Sequence, residues 1–256
     1  MSDTVSVATQ ASRPPRARDE YRPKTKTDLW LCWYVLPIFF ALFGIMFVPL
    51  GRVMPPPRPD VSIAQKAGFI SAHSLTIQIG FGMLMVVIGF SAIAVNANVG
   101  YQMKRMTVSP AFAYAYMGGM AVGVLPGCLF AAFCFLTAAL RPGRDPQIVA
   151  LLYDTGLLSF VGSLGCFSAA YLALAIAILL DRNDVFPKLL AYVSVWQIVT
   201  EILAAPVFVF KSGPLAWNGS ISFWMGTAIF AFWQGCVIVL VRRAIKLQPV
   251  GEPIQD

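Results

Sequence analysis

Charge is scarce in this sequence and histidine is almost missing. Asp, Glu, Lys and Arg together make up 12% of the 256 residues, about half the ~25% of an average soluble domain. The single histidine, His73, excludes by counting a bis-histidine haem or a histidine-rich di-iron site within the chain. The five cysteines, Cys32, Cys128, Cys134, Cys166 and Cys236, form no CxxC pair and all fall inside hydrophobic runs. They read as small apolar packing residues rather than disulfides or metal ligands, and no cofactor is expected. HExxH, GxSxG, a phosphate-binding P-loop and paired intramembrane aspartates are also missing, which weighs against an enzyme. Residues 1–27 contain no hydrophobic stretch of their own, so no cleavable signal peptide is read there.

What the sequence has instead is oil. Its hydrophobic content is 58% and its mean hydropathy is +0.71, with several apolar runs of about 20 residues or more, the length needed to cross a bilayer. The fold class predicted is therefore all-α, a polytopic transmembrane bundle of six helices. The net charge of +7 does not point to nucleic acid, because the charges flank the hydrophobic runs. The partner it points to is the lipid bilayer.

In chain order, residues 1–27 form a basic tail with Arg13, Arg16, Arg18, Arg22, Lys24 and Lys26, read as disordered. The transmembrane domain is expected over 28–246, with a short polar tail over 247–256. Asp28 is the expected cap of a first helix over Leu29–Leu50, ended by Pro49 and the proline-rich loop that follows. The second run, Ala67–Ala97, and the fourth, Gln147–Leu180, are too long for one perpendicular crossing; the second is expected either to begin with an interfacial turn or to tilt, and the fourth to begin at the interface. In the fourth, Gln147–Tyr153 would lie at the interface and Thr155–Leu180 would cross.

The third run, about Ala111–Leu140, carries Ala115, Gly119, Gly123, Gly127 and Ala131 at every fourth position. Small residues at that spacing let a neighbouring backbone approach closely. Pro126 should kink the stripe. The seam lies either inside the bundle or at a contact with a second copy or a partner subunit.

The fifth run carries the chemistry. Pro187 is expected in the first turn of a helix that reaches Phe210. Its one formal charge between Leu189 and Phe210 is Glu201, about 12 residues or about 18 Å in. An acid at that depth costs about 2.5–3.5 kcal/mol on insertion scales, so it should face protein or a wet cavity. Ser194, Gln197 and Glu201 share a face, with Thr200 beside them. This face reads as a ligand or proton site, or more plainly as hydrogen bonding between helices. His73, Gln78, Asp154 and Gln234 are candidate members of the same site, with the alternative that His73 and Asp154 simply sit in the wet interface. Pro206 weakens the helix just beyond the acid.

The loop Lys211-Ser-Gly-Pro-Leu-Ala-Trp-Asn-Gly-Ser220 has turn signals at Gly213-Pro214 and Asn218-Gly219, and Trp217 reads as an interface anchor. The sixth run is about Ile221–Val241. Counting Lys and Arg at the two ends of the runs gives about 13 on the side of the termini and about 6 on the other, which places both termini in the cytoplasm.

The stretch Phe186–Trp233, and Lys211–Trp224 within it above all, resembles a segment of uncharacterised bacterial six-helix membrane proteins of domain-of-unknown-function type. That resemblance implies a bacterial inner membrane and carries no chemistry. Two functions remain in view: binding or transport of a small apolar or weakly polar molecule, proton-linked through Glu201, and a non-catalytic subunit packing through the Ala115–Ala131 stripe.

Overall fold

The computed structural model describes residues 25–141 and 143–251, and every regular element among them is helical. The basic tail expected over 1–27 therefore lies outside the described residues, apart from its last three. Those three are ordered into the fold. Helix α1, Thr27–Ile45, begins after Lys26, with Asp28 in its first turn and no side-chain cap, so Asp28 is not the cap. The Lys26 ammonium donates instead to the carbonyl of Ile245, 2.9 Å away near the other end of the chain.

A π-helical turn, Met46–Leu50, extends α1 over Pro49. Helix α2, Ile63–Ala72, opens with a capping box in which Ser62 and Gln65 exchange side-chain-to-backbone bonds. It bends by 74° at His73 into α3, Ser74–Met103. The second run, expected to turn or tilt at its head, is broken there by this ten-residue helix. Helix α4, Ala111–Val124, passes through a π-helical turn at Leu125–Phe130, where Pro126 lies, into α5, Ala131–Ala139.

The fourth run corrects the expectation. Helix α6, Pro146–Gly162, shows no break at Tyr153. The break comes ten residues later at Ser163, followed by a 3-10 turn, Leu164–Phe167, and α7, Ser168–Leu180. Asp145 caps α6 by accepting from the Gln147 amide at 2.7 Å, so Gln147–Tyr153 is continuous with the helix that follows it. Helix α8, Lys188–Ile202, has Pro187 at its cap rather than in its first turn. It ends before a 3-10 turn, Ala205–Phe208, and α9, Gly226–Leu247, follows a π-helical turn at Ser220–Met225.

Among the described residues five stretches are long and apolar enough to cross a membrane: Thr27–Leu50, Ala111–Ala139, Pro146–Leu180, Lys188–Phe208 and Ser220–Leu247. The bent pair α2–α3 makes a sixth if it counts as one span. Large apolar side chains stand exposed around the whole perimeter, among them Leu31, Val86, Phe133, Leu151, Tyr192 and Val239. In water so extensive an apolar surface would drive aggregation; against acyl chains it is the matching face.

Inside, the bundle holds two hydrophobic cores. One gathers Leu36, Met103, Tyr171, Trp233 and Val241 toward the end where the termini meet. The other gathers Met46, Phe47, Phe81, Phe135, Tyr153 and Trp217 toward the opposite loops. Trp217 is not an interface anchor: it is 5% exposed and donates to the Pro57 carbonyl at 2.7 Å, tying two distant loops together. The polar tail also starts later than expected, because Gln248 is buried and accepts from Gln102 at 3.3 Å. Residues 252–256 lie outside the described residues.

The small-residue stripe packs within the chain. A Cβ at Gly119 would lie 2.9 Å from Ala170, one at Gly123 2.3 Å from the Phe167 ring, and one at Gly127 3.0 Å from the Ser163 hydroxyl. Ala131 is buried and only Ala115 is exposed. The stripe therefore seats α4 on α6, the 3-10 turn and α7. As a docking face for a partner subunit it is already covered by the chain itself.

Candidate functional site

The helix breaks surround one cavity. Val124, Gly127 and Cys128 line it from the α4 break, Leu164 and Phe167 from the break after α6, Glu201 from the end of α8, and Phe223 and Gly226 from the start of α9. Helix α1 adds Phe39, Phe40 and Phe43, and Met54 reaches it from the loop beyond. The cavity has a volume of about 150 Å³. Its wall draws on both hydrophobic cores, so it lies where they meet.

Glu201 is 2% exposed. The Ser168 hydroxyl donates to its Oε2 at 3.1 Å, and the Gln197 amide donates to its Oε1 at a long 3.4 Å. The Tyr171 hydroxyl stands within hydrogen-bonding reach of the same carboxyl. These are neutral donors. Among the described residues no lysine, arginine or histidine lines the cavity, so none of them balances a carboxylate charge on its wall.

The polar face of α8 divides into two pairs. Ser194 and Thr200 turn back on the backbone, donating to the carbonyls of Leu190 and Gln197, each at 2.8 Å. Ser194 also accepts from the Trp233 indole at 2.9 Å, which fixes α9 against α8. This pair is structural. Gln197 and Glu201 face the cavity, joined there by Gln234 of α9. The Oε1 atoms of Gln197 and Gln234 are buried and accept no hydrogen bond. Buried polar atoms are paired in most folded proteins, so two such acceptors on one cavity wall mark a place shaped for a donor.

The other candidates lie elsewhere. Asp154 accepts from the Lys66 ammonium through both oxygens, at 2.6 and 2.7 Å, in a pair that joins α6 to α2. The Lys66 ammonium stands 5.7 Å over the Tyr153 ring. Gln78 donates to the Ala139 carbonyl at 2.7 Å, closing the end of α5. His73 sits at the α2–α3 bend with its ring edge-on to Phe69, 5.1 Å away. None of Asp154, Gln78, His73 and Thr200 is on the cavity wall.

Several residues on or behind the wall escaped sequence reasoning. Ser168 and Tyr171 meet Glu201 from a helix 30 or more residues earlier, and no local spacing announces such a pairing. Tyr116 donates to Asn96 at 3.1 Å across the α4–α3 contact, again beyond local reach. Trp233 did carry a signal: it lies deep within its run, away from the membrane interface where tryptophan concentrates.

Pro206 has the effect expected of it. The helix stops at Ile202, and the Leu203 carbonyl accepts from the buried Ser222 hydroxyl at 3.0 Å. The acid is thereby placed on the last turn of a helix whose end is pinned to the start of α9. Among the described residues no group of three or more His, Cys, Asp or Glu is placed to hold a metal ion. Comparison with family models, curated proteins and solved structures finds no match for the chain.

Proposed function

We propose that the chain is a six-crossing protein of a bacterial cytoplasmic membrane, with both termini in the cytoplasm, that binds or transports a small molecule of apolar or weakly polar character. The bent pair α2–α3 is the sixth crossing in this reading. The excess of lysine and arginine near the termini supports the orientation. The observation that carries the function is the cavity: about 150 Å³, walled by phenylalanines, with Glu201, Gln197 and Gln234 as its polar points. Ligand sites have this composition, mostly apolar with a few placed polar groups. Glu201 is the acid through which a proton-linked cycle would run.

The test is to fill the chamber. Gly226 is a buried wall residue with nothing within 4 Å of where a Cβ would stand, so Gly226→Leu occupies the space without a clash. Purified protein in detergent is titrated with benzyl alcohol, followed by tryptophan fluorescence. Saturable binding by the wild type that disappears in Gly226→Leu, with the melting temperature held or raised, supports the reading. A wild type that shows no saturable binding overturns it.

A further inference from the structure

Given the chamber as a ligand site, we propose that its ligand is a small primary ammonium ion, about one six-membered ring in size, held by Glu201 with the side-chain oxygens of Gln197 and Gln234. Three features of the wall support this class over its rivals.

Beside Asn96 and Thr227, three polar wall residues offer acceptors. Glu201 offers carboxyl oxygens, and the Oε1 atoms of Gln197 and Gln234 are buried with no donor. Glu201 is met by Ser168, Gln197 and Tyr171, all neutral. A primary ammonium has three N–H donors and no acceptor, one for each of these three groups. It also carries the charge that the wall does not supply. A carboxylate or phosphate ligand would meet the acid and two amide oxygens with no cation on the wall to offset them. A hydrocarbon would leave the two amide oxygens unpaired.

The rest of the wall suits a cation with an apolar body. Phe40, Phe167, Tyr171, Phe230 and Trp233 present rings to the cavity. Ring faces attract ammonium groups and ring edges pack against hydrocarbon. Size narrows the class further: a cavity of about 150 Å³ is comparable to the engineered cavity that accepts benzene. One ring with a one-carbon arm, or an aliphatic amine of similar bulk, fills it; a sterol or a long acyl chain does not.

The partly exposed acid of α6, by contrast, is paired with a cation of the chain itself. Asp154 holds Lys66 at 2.6 Å. At Glu201 the corresponding place opens onto the chamber.

The experiment compares three probes of one shape in the full-length protein in detergent near pH 7: benzylamine, which is protonated there, benzyl alcohol and benzoate. Only saturable binding is counted. Benzylamine is expected to bind about tenfold or more tighter than the alcohol, in line with a charge-assisted hydrogen bond, and benzoate not at all. Glu201→Gln should weaken benzylamine about tenfold, a larger loss than any it causes for the alcohol. Gln234→Leu, which removes an unpaired acceptor, should weaken benzylamine several-fold and more than it weakens the alcohol. If the alcohol binds as well as the amine, the ammonium class is wrong while the chamber stands as a ligand site. If no probe binds to folded wild type, both fall together. Should Glu201→Gln fail to fold, unchanged benzylamine binding by Gln234→Leu overturns the proposal on its own.

Discussion

Asp154 and Glu201 are both acids set in apolar helices, and the chain surrounds them in opposite ways. Asp154 lies toward the loop end of α6, its side chain 36% exposed, with the Lys66 ammonium on both of its oxygens. Its charge is balanced locally and its pair fastens α2 to α6. Glu201 lies where the two cores meet, 2% exposed, with a hydroxyl and an amide as its hydrogen-bond donors. The first arrangement needs nothing further, since a paired charge with partial access to water is a stable tie. The second leaves acceptors unfilled beside a cavity, which is poor design for a fold and good design for a guest. The difference teaches that depth alone does not make an acid functional; the identity of its neighbours does.

The comparison breaks most completely if the centre of the bundle is forced open. Phe167 sits one residue before Ser168, the donor to Glu201, and a Cβ at Gly123 would lie 2.3 Å from its ring. Gly123→Leu is expected to destabilise by about 3 kcal/mol or more, the upper end of overpacking effects, and to be lost as aggregate on detergent extraction. Gly118, five residues back, has nothing within 4 Å of its Cβ position, so Gly118→Leu should extract as the wild type does. Size-exclusion profiles of the two side by side decide whether the stripe is an internal seam. Equal profiles would remove the packing argument.

The next largest effect strikes the paired acid. Lys66→Met leaves Asp154 without its cation and should lower stability by about 1–3 kcal/mol, less than a fully buried pair would cost because Asp154 reaches water. The double variant with Asp154→Asn should recover most of the loss, read as the apparent melting temperature in detergent. A double variant no better than the single would mean that Lys66 acts through packing on Tyr153 rather than through charge.

Much of this architecture is visible in the residues and some of it is not, for reasons that can be stated. The apolar runs announce helices of spanning length because the bilayer imposes both composition and length. Pro126 and Pro206 announce the breaks at Leu125–Phe130 and after Ile202, since proline removes a backbone donor. The break at Ser163 has no proline, so the fourth run was cut in the wrong place. The bend at His73 likewise lacks a breaker; only the excess length of its run betrayed it. Glu201 stands out because it is alone. Its partners Ser168 and Tyr171 do not, because pairing between helices leaves no local spacing to read. Trp217 was misread because a tryptophan between loop and span usually marks the interface, whereas here its indole donates to Pro57 across 160 residues of chain.

That tryptophan sharpens the loop-end side of the comparison. Trp217→Phe keeps most of the buried ring and removes the donor to the Pro57 carbonyl. The expected loss is about 1 kcal/mol, the net worth of one hydrogen bond. It should fall on the loop end alone, leaving benzyl alcohol binding in the chamber unaltered. A matching loss of ligand binding would show that the two ends are coupled and that the separation drawn between them is too clean.

The smallest effect on stability is expected at the most buried acid. Glu201→Gln swaps a carboxyl for an amide of nearly the same shape. Ser168 still has an oxygen to donate to, and the new amide protons lie next to the unpaired Oε1 of Gln197. A bond gained there offsets what the carboxyl loses, so the melting temperature should change by no more than about 1 kcal/mol of stability implies. An ion-paired acid behaves otherwise, because neutralising it strands the partner charge. A large loss of stability on Glu201→Gln would therefore mean that the carboxylate holds the bundle together, as Asp154 does, and would move Glu201 from the ligand's side of the comparison to the fold's.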